Sequence, residues 1–151
     1  MAKSEKQKLK LLYIIQCLME KTDEEHAVTT QEIIDYLALQ GITAERKSIY
    51  TDIDLLIDFG MDIIKKPGRS GGYTLASRQF ELAELKLLVD AVQSSKFITT
   101  KKSRDLIGKL ETLCSKYEAG QLHRQVVVTN RNKTVNENIY YNVDIIYNAI
   151  A

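Results

Sequence analysis

The stretch RKSIYTDIDLLIDFG, from Arg46 to Gly60, decides how the rest of the chain is interpreted. Its apolar residues recur at spacings of four and three, which places them on one face of a helix. These residues are Ile49, Ile53 and Leu56. Lys47 and Thr51 fall almost opposite that face. The spacing therefore predicts a helix over residues 44–59 with one buried face and one polar face.

Two helices are predicted before this segment. Residues 6–22 carry apolar side chains three and four positions apart, as an amphipathic helix requires. Thr29 and Glu32 form a capping-box pattern that opens a helix from Thr30 to Leu39. Gly41 is predicted to stop that helix, Thr43 to cap the helix over 44–59, and Gly60 to end it.

A β-hairpin is predicted directly after the helix over 44–59. Residues 61–66 form a short segment that partly favours a β-strand. The Pro67–Gly72 segment PGRSGG that follows is the densest turn signal in the chain. Tyr73–Leu75 is the predicted returning strand. No acidic residue lies between Ile63 and Phe80, whereas this stretch holds Lys65, Lys66, Arg69 and Arg78. The formal net charge is only +1, but such a stretch can still focus a positive surface.

The remaining chain is predicted to be mostly helical. One helix spans Phe80–Gln93, and a second spans Ser103–Tyr117. A strand is predicted at Gln125–Thr129 and a loop at Asn130–Lys133, and Asn136 is predicted to cap a last helix. Two apolar stripes mark the second and the last helix. They are Leu106, Ile107, Leu110, Leu113, Cys114 and Tyr117, and Ile139, Tyr140, Val143, Ile146, Tyr147 and Ile150.

This order of elements is typical of a winged helix-turn-helix. The fold class predicted is mainly α with a small β-hairpin, a winged helix-turn-helix followed by a helical linker region. Residues 1–78 are predicted to be the DNA-binding domain, and residues 79–151 a linker and dimerisation region. The helix over 44–59 would lie in the major groove of double-stranded DNA, and the wing over 61–76 on the backbone or in the minor groove.

The residues predicted to contact DNA lie on the polar face of this helix and in the wing. They are Arg46, Lys47, Ser48, Tyr50, Thr51, Lys65, Lys66, Arg69 and Ser70. The alternative is a winged helix that binds other proteins and never DNA. Salt-dependent binding of a duplex separates the two, because phosphate contacts release counterions.

The run RKSIYTDIDLLIDFGMDI, followed by GRSGGYTL, resembles the N-terminal winged helix of bacterial WYL-domain transcriptional regulators. Thr51 departs from the pattern, since the family usually has arginine there. The matching residues are Ser48, Ile49, Tyr50, Asp52, Ile53, Leu56, Gly71, Gly72 and Tyr73. The resemblance implies sequence-specific DNA binding in transcription regulation. It also implies that this chain is a fragment that lacks the WYL domain, on which any effector ligand is expected.

Other classes of function are predicted to be absent. No apolar run approaches a membrane span, and no secretory signal is present, so a cytoplasmic protein is expected. Cys17 and Cys114 are interpreted as reduced core cysteines. His26 and His123 are isolated, and Ser70 between glycines lies in a strand-to-strand turn, unlike a nucleophile elbow. The sequence thus predicts no enzyme, no catalytic or metal site and no cofactor. A homodimer is also predicted, because the two apolar stripes after residue 79 have to be covered.

Overall fold

The computed structural model of the protein describes residues 6–68, 71–126 and 133–150. The fold is mainly helical with one two-stranded antiparallel hairpin, which confirms the predicted fold class. The chain divides into two compact units. The first comprises Met1–Gln79 with Cys114–Lys116, and the second comprises Phe80–Leu113 with Tyr117–Ala151. No helix in the described ranges has both the length and the apolar character needed to cross a membrane.

The first unit is built on three helices: α1 (Lys10–Lys21), α2 (Thr30–Leu39) and α3 (Arg46–Asp58). Their apolar faces form one core, as the spacing predicted. Its fully buried members are Ile14, Cys17, Leu18, Ile33, Leu37, Ile49 and Ile53. Burying each large aliphatic side chain stabilises the fold by roughly 1.5–3 kcal/mol, so this core fixes how α3 is oriented. Cys17 is a free, buried cysteine, as predicted.

The predicted ends of α2 and α3 are largely confirmed. The Thr29 side chain accepts a hydrogen bond from the Glu32 amide at 3.2 Å, and the Glu32 carboxylate accepts one from the Thr29 amide at 2.7 Å. Gly41 and Gly60 have φ of 73° and 107°, the left-handed conformation in which glycine commonly ends a helix. Local sequence chemistry therefore sets these three helix ends.

The predicted cap of α3 is wrong. The helix begins at Arg46, two residues later than predicted, and its N-cap residue is Glu45, whose side chain makes no capping hydrogen bond. Thr43 lies two residues before this N-cap position and is therefore not the capping residue of α3. Its carbonyl instead accepts a hydrogen bond from Gln7 Nε2 at 3.0 Å. At its other end α3 stops at Asp58, one residue before the predicted Phe59.

The hairpin consists of β1 (Ile63–Lys65) and β2 (Tyr73–Leu75), paired antiparallel with Ile63 opposite Leu75. Strand β2 also pairs with Val28 through two backbone hydrogen bonds between Val28 and Tyr73, of 3.0 and 2.8 Å. Thr22 strengthens the attachment, since its hydroxyl donates to the Leu18 carbonyl and accepts from the Leu75 amide. The wing is thus attached to the helical core along its inner strand.

The two glycines before Tyr73 are required by close backbone approach. A Cβ atom on Gly72 would lie 2.3 Å from the Val28 carbonyl oxygen. On Gly71 it would lie 2.2 Å from the Lys66 carbonyl oxygen. Any residue other than glycine would force the neighbouring backbone to move at either position. The Gly-Gly-Tyr motif therefore has a steric cause in this fold.

The second unit contains α4 (Leu82–Ser94), α5 (Thr100–Glu111), α6 (Lys116–Val126) and α7 (Asn138–Ile150). The predicted helix Ser103–Tyr117 is wrong at both ends. Helix α5 begins three residues earlier, because the Thr99 side chain accepts from the Lys102 amide at 3.1 Å. It ends at Glu111, so Leu113, Cys114 and Tyr117 do not continue its apolar stripe.

The strand predicted at Gln125–Thr129 is also wrong where it can be compared. Gln125 and Val126 are the last residues of α6, whereas residues 127–132 lie outside the described part of the chain.

The predicted cap of the last helix is confirmed, since Asn136 Oδ1 accepts from the Asn138 amide at 3.0 Å. Most apolar side chains of α7 are exposed: Tyr141, Ile145, Ile146, Tyr147 and Ile150. The Tyr140 side chain is outside the described part.

The loop after α1 holds a buried carboxylate, although its sequence predicts only a polar loop. Asp23 is 6% exposed. Its Oδ1 accepts from the amides of Glu25 and His26 and lies 2.7 Å from His26 Nδ1. Its Oδ2 accepts from Ser115 Oγ at 2.5 Å. Burial alone would raise the pKa of Asp23, but these hydrogen bonds together hold it below its ordinary value.

We expect this carboxylate to make stability depend on acidity. Because the folded pKa of Asp23 is lowered, its contribution is complete above the ordinary value of 3.8 and is lost as pH falls through the folded value. Urea unfolding between pH 5 and 2 should show a smaller loss of unfolding free energy in Asp23→Asn than in the wild type. Identical pH dependence in the two proteins would show that the carboxylate is not stabilised as charged.

Candidate nucleic-acid interface

The first two turns of α3 present a polar, exposed surface. Arg46, Lys47, Tyr50 and Thr51 are all exposed, so the structure brings together four of the five helix residues predicted to contact DNA. The Lys47 side chain makes no hydrogen bond or ion pair with any other described residue. The Thr51 hydroxyl donates to the Lys47 carbonyl at 3.2 Å. Lys47 therefore presents a free positive charge at the start of this helix.

Arg46 lies at the edge of this surface. Its guanidinium donates to Gln31 Oε1 on α2 at 3.3 Å, a long hydrogen bond between two exposed side chains. Such a bond is easily exchanged for a phosphate oxygen, which binds guanidinium with a charge-assisted geometry. Arg46 is thus held near the N-terminus of α3 without an ion pair to any described residue.

Ser48 differs from its neighbours because it is half-buried and bonded within the protein. Lys10 Nζ on α1 lies 2.5 Å from Ser48 Oγ and 2.7 Å from Asp52 Oδ2. An ammonium group has only donors, so the Ser48 oxygen accepts this bond. The Lys10 and Asp52 side chains are 13% and 10% exposed. Lys10 therefore ties α1 to α3, a role with no local sequence signal because the partners are far apart in the chain.

The basic wing is not free of nearby acid, contrary to the sequence pattern. Lys65 Nζ lies 2.5 Å from Asp54 Oδ1 on α3, and the two side chains are 53% and 59% exposed. The hydrogen bond with Asp54 raises the pKa of Lys65. Lys66 donates to the Glu24 carbonyl at 3.3 Å and has no carboxylate partner among the described residues. Arg69 and Ser70, also predicted to contact DNA, lie outside the described residues.

Arg78 belongs to the acid-free stretch by sequence but has a structural role. Its guanidinium donates to the Met19 carbonyl at 2.8 Å and to the Thr22 carbonyl. The last carbonyls of a helix have no partner inside that helix, and a cation there also interacts favourably with the helix dipole. Arg78 thus caps the end of α1 and does not extend the positive surface of the wing.

The first unit also exposes apolar side chains, which the sequence does not predict. Leu55 on α3 is 50% exposed, Phe59 directly after α3 is 82% exposed, and Ile64 on β1 is 49% exposed. Leu55 and Phe59 are four residues apart and therefore neighbours on one flank of α3. They flank the polar surface on the side where Ser48 lies.

Residues 12–68 match a family model described as FokI, D3 domain. The match includes every described residue of the candidate interface on α3 and β1. No curated protein matches the chain significantly, and no solved structure does.

This match bears on two predictions. FokI is a restriction endonuclease, so the match contradicts the prediction that the chain is not an enzyme. The matching domain is itself a DNA-binding one. Residues 12–68 of this chain are therefore similar to a DNA-binding domain that occurs in an endonuclease.

Proposed function

We propose that the first unit binds double-stranded DNA in a sequence-specific manner, with α3 in the major groove and the hairpin against the backbone or the minor groove. The observation that carries this proposal is the free, exposed Lys47 beside Thr51, within a region similar to a DNA-binding domain. Residues 1–78 would be the DNA-binding domain, and residues 79–151 a helical linker region. The proposed location is the cytoplasm, where bacterial DNA lies.

The charge along α3 supports docking by its N-terminal half. Arg46 and Lys47 occupy the first turn, whereas Asp54 and Asp58 lie further along the same exposed side. A rise of 1.5 Å per residue separates Lys47 and Asp58 by about 16 Å. A duplex placed at the basic end avoids the second carboxylate if the helix is tilted, and recognition helices usually contact bases near their N-terminal end.

We further propose that the protein is a bacterial transcriptional regulator of the WYL-domain type. The support comes from the residues that resemble the WYL-domain family, because several of them have a structural role in this fold. Ile49, Ile53 and Leu56 form the core face of α3, Asp52 pairs with Lys10, and Gly72 allows β2 to approach Val28. The second candidate function is protein binding without DNA, which the exposed Leu55 and Phe59 favour.

Lys47→Ala tests the DNA-binding proposal. After selection of a preferred duplex from random sequences, we expect this variant to bind it about 5- to 150-fold more weakly, since one base or phosphate contact contributes about 1–3 kcal/mol. The melting temperature should change little, because the side chain is exposed and makes no hydrogen bond or ion pair with any other described residue. Ser48 is left intact because it is bonded to Lys10.

The matched control is Lys101→Ala, which removes another exposed lysine, from the first turn of α5. It should bind the selected duplex as the wild type does. Equal affinity of Lys47→Ala and wild type would contradict the placement of α3 in the major groove. Failure to select any duplex, together with capture of a protein ligand that Phe59→Ala abolishes, would favour the second candidate.

We also propose that the second unit supplies a homodimer interface. The support is the exposed apolar side of α7, which includes Ile146, Tyr147 and Ile150. Light scattering at tens of micromolar should give twice the 17.2 kDa mass of one chain. Ile146→Asp combined with Ile150→Asp should give the mass of one chain. A wild-type monomer under these conditions would reject the interface.

A further inference from the structure

The ion pair between Asp54 and Lys65 lies within the surface that the proposed function assigns to DNA. Asp54 is on the exposed side of α3, and Lys65 is the last residue of β1. Their charged atoms are 2.5 Å apart, and each side chain keeps more than half of its surface exposed. The pair is therefore accessible to a duplex and can be broken by a competing charge.

Lys65 cannot give a full phosphate contact while it is paired. A lysine that already has a carboxylate partner releases little of the counterion atmosphere of DNA when it approaches a phosphate. To bind phosphate it must leave Asp54, and it then leaves an uncompensated carboxylate beside the duplex. Lys66 has no such constraint, since its hydrogen-bond partner among the described residues is the neutral Glu24 carbonyl.

We propose that Asp54 is a specificity-determining residue that suppresses sequence-independent binding of DNA. This inference rests on the proposed function and deepens it. At guanine and thymine the carboxylate meets acceptor atoms, which repel it, and at adenine the N6 amine lies beside the acceptor N7, so Lys65 stays paired. Where a cytosine presents its N4 amine in the major groove, the Asp54 carboxylate accepts from that amine. Lys65 is then released to a neighbouring phosphate, so base reading and backbone binding occur together.

Asp54→Asn is the test, because it removes the charge at an exposed position with little change in size. We expect this variant to bind duplexes of unselected sequence about two- to fivefold more tightly, the range that an exposed ion pair allows. The slope of log affinity against log salt should steepen by about 0.9, the value for one added phosphate contact. The ratio of selected to unselected affinity should fall, and the preference for cytosine at one position should weaken.

Two matched variants isolate the pair from general charge. Asp58→Asn removes a second exposed carboxylate four residues further along α3, and Asp58 has no hydrogen bond or ion pair with any other described residue. It should leave the salt slope unchanged. On duplexes of unselected sequence, Lys65→Gln should change the slope little in the wild type but should cancel the added 0.9 in Asp54→Asn. Lys66→Gln should reduce the slope in both backgrounds.

The outcomes separate this inference from the proposed function. If Lys47→Ala loses binding but Asp54→Asn leaves unselected affinity and salt slope as in the wild type, DNA binding stands and the role of Asp54 is overturned. An equal steepening in Asp58→Asn also overturns it, because the effect is then one of net charge. If the wild type binds no duplex at all, the proposed function and this inference both fall.

Discussion

Asp52→Ala is expected to lower the free energy of unfolding by about 2–4 kcal/mol. Removing one partner of a buried ion pair costs about 3–5 kcal/mol because a charge is left without compensation. The Lys10 and Asp52 side chains are 13% and 10% exposed, so the expected loss lies at or slightly below that range. Denaturant unfolding of the full chain measures it.

The control replaces both charges together. Lys10→Met with Asp52→Leu should recover most of the lost stability, because well-packed apolar residues of similar volume often replace a buried pair without cost. The Ser48 hydroxyl would lose its donor in this variant, and Ser48→Ala added to it should then have little further effect. A loss below about 0.5 kcal/mol in Asp52→Ala would show that the pair contributes no more than a surface contact.

Gly72→Ala is expected to destabilise the first unit by about 1–3 kcal/mol, the usual range for forcing extra atoms into a packed site. The new Cβ would lie 2.3 Å from the Val28 carbonyl oxygen and 2.7 Å from its carbon, and both atoms are backbone. The methyl group therefore has to separate β2 from Val28, which weakens the two hydrogen bonds between Val28 and Tyr73. Thermal melting should shift by several degrees for each kcal/mol lost.

Gly108→Ala is the control: the same glycine-to-alanine change is expected here not to lower stability. Gly108 lies inside α5, and an added Cβ meets no atom within 4 Å beyond the backbone of its own helix and its two chain neighbours. Alanine is favoured over glycine in a helix by about 1 kcal/mol, so this variant should be as stable as the wild type or more stable. If Gly72→Ala has the melting temperature of the wild type, the wing can shift away from Val28 without loss of stability.

Sequence patterns were sufficient where one segment carries all the interacting groups. The capping box of Thr29 and Glu32 closes within four residues, and Gly41 and Gly60 act through their own backbone angles. Helical spacing identified Ile49 and Ile53 because a core face repeats along one helix. These local signals gave the order of helices and hairpin on which the predicted fold class depends.

The patterns failed where partners come from separate segments. Lys10 meets Ser48 across 38 positions, and no local rule pairs them. The acid-free stretch suggested an unpaired Lys65, but the carboxylate beside it belongs to the preceding helix. In the second unit, helical spacing continued past Glu111 without a glycine or proline to mark the break. The β-branched residues after Gln125 favoured a strand, although Gln125 and Val126 belong to α6.

The bond between Asp23 and Ser115 affects how the DNA-binding part can be isolated. A recombinant fragment cut after Gln79 would keep Arg78 and its cap on α1, but it would discard Ser115 and with it one of the hydrogen bonds to the buried carboxylate. Its Asp23 would then bear the cost of burial with fewer donors. Binding constants measured on such a shortened protein would describe a less stable molecule, so residues 114–116 belong in any comparison of the first unit with the whole chain.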